Sequence, residues 1–272
     1  MRTAVGVVAA CTALTVVGCS NAPAHSHGTT GSTADVEAGT QLGEASTLGN
    51  GTSRTYVVRD DAGQPTEVGI RISAAALDGL PDGPDATTQM SMLALPAGAS
   101  DTGFDHVMLD WNPHGHEPLV LFGDPHFDMH FYTDAVQHDI DPAAPDFAQR
   151  AAKLPEAKYV PRGYAPPPGP AEANAVPFMG LHWIDSADNA IPGAFDFTEV
   201  LLNGSWDGKF TFIEPMMTRE WLQTRPTLRE EIKQPPSYQR TGYYPTVYSV
   251  HFDETAQEYV IALGGMTMRQ AS

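Results

Sequence analysis

Thiols and basic side chains are scarce in this chain, and each shortage removes a class of function. Only two cysteines occur among 272 residues, Cys11 and Cys19, both near the N-terminus. The remainder therefore has no disulfide, no thiolate nucleophile and no thiolate metal ligand. Any metal must be held by His, Asp or Glu. Lysine and arginine together number 15 against 33 aspartates and glutamates, giving a formal charge of -18. Such a chain repels nucleic acid and anionic lipid headgroups, whereas it raises the local concentration of cations. No GxSxG elbow, Walker loop or dinucleotide fingerprint is present. No repeat of solenoid type is present either.

The N-terminus reads as a targeting segment. Arg2 supplies a positive charge, and Ala4 to Val17 is uncharged and mostly apolar. As a helix that run spans about 21 Å, short of the roughly 30 Å bilayer core, which suits a signal peptide and not a permanent span. Val16-Val17-Gly18-Cys19 then follows the lipoprotein pattern of aliphatic residues, a small residue and cysteine. The expected organisation is a signal peptide over residues 1–18 and a lipid-anchored flexible linker over 19–50. A single folded domain over 51–272 follows. The protein is then exported and held by lipid on Cys19 at the cell membrane or outer membrane. In residues 20–50, 19 of 31 positions are Gly, Ser, Thr or Ala, too little apolar surface to offset the entropy of ordering. His25 and His27 lie in this linker and read as solvated.

The folded part reads as strand-rich. Thr55 to Val58 and Val68 to Ile72 flank Asp60-Asp61-Ala62-Gly63, a hairpin signal. Ser73 to Leu80 reads as a short helix, as does Pro145 to Leu154. Phe104 to Trp111 alternates, with Val107, Leu109 and Trp111 on one face. Leu119 to Phe122 and His126 to Tyr132 continue the strand pattern. Phe195 to Leu202 and Lys209 to Ile213 form a hairpin around Asn203-Gly204 to Asp207-Gly208. Thr218 caps a helix reaching Gln223, and Thr227 with Glu230 makes a capping-box signature. Val247 to Phe252 and Tyr259 to Leu263 close the chain as a hairpin. The expected fold is a β-dominated α+β domain, a curved sheet or barrel with a few short helices.

Five of the ten histidines fall between His106 and His130. Along Pro125 to Tyr132, Phe127, Met129 and Phe131 alternate with His126, Asp128, His130 and Tyr132, so a strand places the two sets on opposite faces. The polar set is the inventory for hard and borderline divalent metals. His126 and His130 are four apart, about 13 Å on a straight strand, so one ion shared by both requires a bulge or a helix. Otherwise only one of them binds alongside Asp128. His116 and Glu117 stand in a turn bracketed by Pro113 and Pro118. His182 and Glu214 are isolated among apolar residues, and a buried carboxylate needs a cation or an arginine. The candidate metal ligands are thus His116, Glu117, His126, Asp128, His130, His182 and Glu214. Tyr132 is a candidate hydrogen-bond donor, and Glu117 or Asp128 a candidate base. His106, His138 and His251 read as structural.

At Asn112 to Pro118, Pro125 to Tyr132, Met179 to Trp183 and Gly204 to Met216, the chain resembles an exported bacterial family of unknown function. That family carries an NPxGHEP turn, a PHFDxHFY strand, an MGxHW segment and a DGKxxFxEPM hairpin. The resemblance implies a domain without a nameable reaction. It supports His116, Glu117, His126, Asp128, His130, His182 and Glu214 as family positions. Two functions stay open: an envelope protein with a His/carboxylate site for zinc, iron or manganese, or a non-catalytic binding or assembly module with a metal-free polar network. Expected partners are the membrane, through Cys19, and further copies of the chain.

Overall fold

The computed structural model describes residues 39–136 and 140–272. The expected signal peptide, Cys19, residues 20–38 of the expected linker and His138 lie outside the described residues. The strands are β1 (Thr40–Leu42), β2 (Ser46–Leu48), β3 (Gly51–Arg59), β4 (Pro65–Ser73), β5 (Gln89–Ala94), β6 (His106–Asn112), β7 (His126–Tyr132), β8 (Tyr164–Ala165), β9 (Ala175–Val176) and β10 (Gly180–Asp185). After these come β11 (Glu199–Trp206), β12 (Lys209–Thr218), β13 (Leu228–Glu231), β14 (Gly242–Tyr244), β15 (Val247–Asp253), β16 (Glu258–Gly264) and β17 (Thr267–Arg269). Short helices α1 (Leu119–Phe122), α2 (Phe147–Ala151), α3 (Ala171–Asn174) and α4 (Arg219–Gln223) interrupt them.

Two antiparallel sheets carry the domain. The first runs β1-β3-β4-β16-β15-β13, with β2 also on β3; the second runs β5-β6-β7-β12-β11-β10-β8, with β9 also on β10. One apolar cluster draws Val57, Val68, Ile70, Ile261 and Leu263 from the first sheet and Val107, Leu109, Trp111, Phe127, Met129 and Phe131 from the second. The sheets therefore pack face to face, with the odd-numbered side chains of β6 and β7 forming the second sheet's inner layer. Burying each such large side chain contributes roughly 1.5–3 kcal/mol before entropy is subtracted. The even-numbered side chains project from the other face. That face is covered by α1 and by Phe195 and Phe197, which pack with Phe122, Val200, Leu202 and Met216.

The domain is β-dominated, as the pattern predicts, but neither sheet closes into a barrel. It also begins before Gly51. β1 and β2 both pair with β3, and Leu48 is buried, so residues 40–42 and 46–48 of the expected linker are strand. Small polar residues suffice there because β3 supplies the hydrogen-bonding partner. Leu119 to Phe122 is helix, not strand: the N–H groups of Leu121 and Phe122 both bond to the carbonyl of Pro118, a local closure favoured by the fixed backbone of proline. The Thr227/Glu230 signature is overruled by pairing of β13 with β15. The β11–β12 turn is Asp207-Gly208 alone, and Asn203 and Gly204 lie inside β11. Thr218 does cap α4, its hydroxyl accepting the N–H of Trp221 at 3.2 Å.

Candidate metal centre

Register assembles the site. On β6 and β7, Asn112 lies opposite His126, Asp110 opposite Asp128, and Met108 opposite His130. On the other flank β12 pairs Ile213 with Phe131 and Met216 with Asp128, a register that sets Glu214 beside His130. Farther out, His182 on β10 lies opposite Gly204 on β11. A Cβ on Gly204 would fall 2.0 Å from the ring of Phe212, so glycine leaves that ring room to pack 4.8 Å from His130 and 5.3 Å from His182.

Six of the seven candidate ligands converge, but into two groups and not around one ion. The outer trio is His116, His126 and Asp128; the inner trio is His130, His182 and Glu214. In each trio the three donor atoms lie within 4.8 Å of one another. β7 stays straight because β6 and β12 pair with it on both sides, so His126 and His130 reach different partners.

In the outer trio, Nε2 of His126 and of His116 approach the two Asp128 oxygens at 3.0 and 3.2 Å. The other ring nitrogens face backbone carbonyls: His126 Nδ1 lies 2.6 Å from Asp124 O and His116 Nδ1 lies 2.9 Å from Glu117 O. Carbonyls only accept, so in the neutral rings Nδ1 carries the proton and both Nε2 lone pairs point at the carboxylate. Acceptors facing acceptors require a cation between them, either a proton or a metal. Asn112 donates to Asp128 Oδ2 at 2.7 Å, its orientation set by the Thr88 hydroxyl donating to Asn112 Oδ1 at 2.7 Å. His116 reaches the site from a turn in which Gly115 takes φ +65°, and its N–H bonds to Phe122 O at 3.0 Å. Burial works against a charge on His116, but the hydrogen bond and charge of Asp128 outweigh it, and its pKa rises. Burial likewise opposes charge on Asp128, yet the two imidazoles hold it well below the carboxylate range.

In the inner trio, Nε2 of His130 and of His182 lie 3.1 and 3.3 Å from the two Glu214 oxygens. Two ligands about 2.1 Å from a tetrahedral ion stand about 3.4 Å apart, close to these separations. Among the described residues no lysine or arginine pairs with Glu214. Burial, then the charges of Asp128 and Asp110, push its carboxyl well above the ordinary value. Burial pushes His130 down to about 4, and burial with the neighbouring His130 and His116 imidazoles, which oppose a further positive charge, pushes His182 down to about 3. The inner trio is thus neutral when no ion is present. Its atoms are poorly satisfied: neither nitrogen of His130 nor Oε2 of Glu214 makes a well-formed hydrogen bond, although the Met108 backbone and Glu214 lie against the His130 ring. Buried polar atoms left in this state are destabilising.

Glu117 belongs to neither trio. Its exposed carboxylate accepts the N–H of Leu119 at 3.2 Å and starts α1. Tyr132 is buried and donates to Phe178 O at 3.2 Å, so its proton is already committed. His106 stacks on Tyr132 and pairs with Asp105 at 2.8 Å, a structural role. Sequence reasoning missed Asp110 and Asn112. The signal was available: if Val107, Leu109 and Trp111 face the core, then Asp110 and Asn112 must share the face of the histidines.

Residues 60–111 match the family described as TTHB210-like, hypothetical protein TTHB210. That match ends within β6 and contains Asp110, but none of the six trio residues. No curated protein and no solved structure matches the chain.

Proposed function

We propose that this protein binds divalent metal, zinc, iron or manganese, through two His/His/carboxylate sites on one face of its second sheet. One observation carries this reading. Glu214 is buried with an imidazole Nε2 at each oxygen, and its Oε2 and both nitrogens of His130 lack a well-formed hydrogen bond. Three protein ligands per ion leave a coordination position open, the arrangement used to activate water or hold a small ligand. Asp128 and Glu214 serve as ligands here, and Tyr132 stiffens the wall of the site. In the inner trio a metal-free network is disfavoured by those unpartnered buried atoms, which a finished network would satisfy.

The sequence pattern Val16-Val17-Gly18-Cys19 supports export and lipid attachment at Cys19, which would place the metal sites outside the cytoplasm. Labelled palmitate incorporated by the intact chain and lost in Cys19→Ala supports the anchor. Labelling that survives the substitution overturns it. For the metal sites, the chain is purified without chelator and its metal content measured by mass spectrometry. One to two equivalents are expected, and less than about half an equivalent that added zinc, iron or manganese fails to raise removes the reading.

A further inference from the structure

Asp110 is the most conspicuous group that the two trios leave unused. It is 1% exposed, and both its carboxylate oxygens are buried without a hydrogen-bond partner. Its cross-strand neighbour is Asp128 on one side and Met90 on the other. The positively charged or chargeable groups facing this part of the sheet are His116, His126, His130 and His182; among the described residues no lysine or arginine pairs with Asp110. Its Oδ2 stands 3.7 Å from Nδ1 of His130, while Nε2 of the same ring faces Glu214 at 3.1 Å. The imidazole therefore lies between two carboxyl groups, one at each nitrogen.

We propose that Asp110 is the positioning residue of the inner metal site. This inference rests on the metal reading above. With an ion on Nε2, the His130 ring must carry its proton on Nδ1, and Asp110 is the side-chain acceptor on that side of the ring, beside the backbone carbonyl of Met108. The 3.7 Å separation is too long for a hydrogen bond and closes when the ion fixes the ring's tautomer. A carboxylate behind a ligating imidazole sets the ring's orientation and raises its basicity, an effect typically of about 10–100-fold in metal affinity. The same contact explains why a carboxylate persists on a strand face with no lysine or arginine to pair with it.

The test isolates the inner site by removing half-exposed His116 from the outer one. The His116→Ala protein is titrated with zinc against a competing chelator, then compared with the same protein carrying Asp110→Asn or Asp110→Ala. The expected result is one tight inner equivalent in His116→Ala, weakened about 10–100-fold by Asp110→Ala and less by Asp110→Asn, which keeps an acceptor oxygen. Nitrogen-labelled histidine NMR of the zinc-loaded protein supplies the second readout. The His130 Nδ1 proton should show a strong downfield signal that Asp110→Ala abolishes. Unchanged affinity and an unchanged signal overturn the inference. So does weakening that comes with loss of fold, read by thermal unfolding of the metal-free protein, which marks a structural role; if Asp110→Ala fails to fold, Asp110→Asn carries the comparison. If the His116→Ala protein takes up less than about half an equivalent of zinc with its three inner ligands intact, the metal reading itself has failed.

Discussion

The two trios share a strand and a donor set, yet they answer to different physics. The outer trio is held from behind: two backbone carbonyls fix its imidazoles and Asn112 fixes its carboxylate. His116 is half-buried, and Asp128 draws a proton onto it, so this trio can neutralise itself with hydrogen ions alone. The inner trio sits deeper, among Phe212, Tyr132 and Met108. There burial drives Glu214 to hold its proton and keeps His130 and His182 uncharged. The same residue types thus give one trio that shares a proton between imidazole and carboxylate and another that is neutral and undersatisfied. The groups behind the ligands set the difference, not ligand identity.

The largest effect that breaks this comparison is Glu214→Gln. It removes the inner carboxylate ligand and should lower inner-site zinc affinity by more than the roughly 100-fold ceiling seen for supporting residues, while outer-site affinity stays within a few-fold. The metal-free melting temperature should rise or hold, because a buried ionisable group is gone. Calorimetric titration and thermal unfolding check both. Asn112→Ala is the mirror experiment, expected to weaken the outer site about 10–100-fold and spare the inner one.

Proton competition comes next. The inner ion must displace the proton that burial keeps on Glu214, so inner affinity should rise up to about tenfold per pH unit until the pH passes that raised pKa, and fall on acidification. The outer ion competes with the proton on His116, whose pKa lies above the ordinary histidine value. Outer affinity should climb with the same sign and flatten above that pKa. Chelator competition at pH 6, 7 and 8 reads both slopes; a pH-independent inner affinity removes the proton from Glu214. The smallest effect is Gly204→Ala. The new methyl meets the Phe212 ring and should destabilise by about 1–3 kcal/mol in urea. It should loosen the inner site less than tenfold and leave the outer site alone.

Much of this was legible in the sequence wherever period-two alternation spoke. β7 announces its two faces, and the β3–β4 and β15–β16 hairpins lie where apolar runs flank turn residues. The polar side of β6 was equally readable, since placing Val107, Leu109 and Trp111 inward commits Asp110 and Asn112 outward. What could not be read was which neighbours each strand takes. His182 lies on a strand no local pattern marked, and only the β10–β11–β12 register brings it to Glu214. The division into two trios follows from β7 being paired on both sides, a tertiary fact. The strand at Leu228 to Glu231 shows the converse, where an edge position beside β15 outweighed a helix-start signature in the chain itself.

β7 also polices its own alignment. Sliding it by one residue against β6 and β12 would drive three histidine and aspartate side chains between the sheets and turn Phe127, Met129 and Phe131 out. No ion or proton waits inside to receive those polar groups. Any strand with one buried apolar face resists such a slip, and here the buried imidazoles and carboxylate add to that cost. The side chains that gather the metal thereby also help dictate how the chain folds.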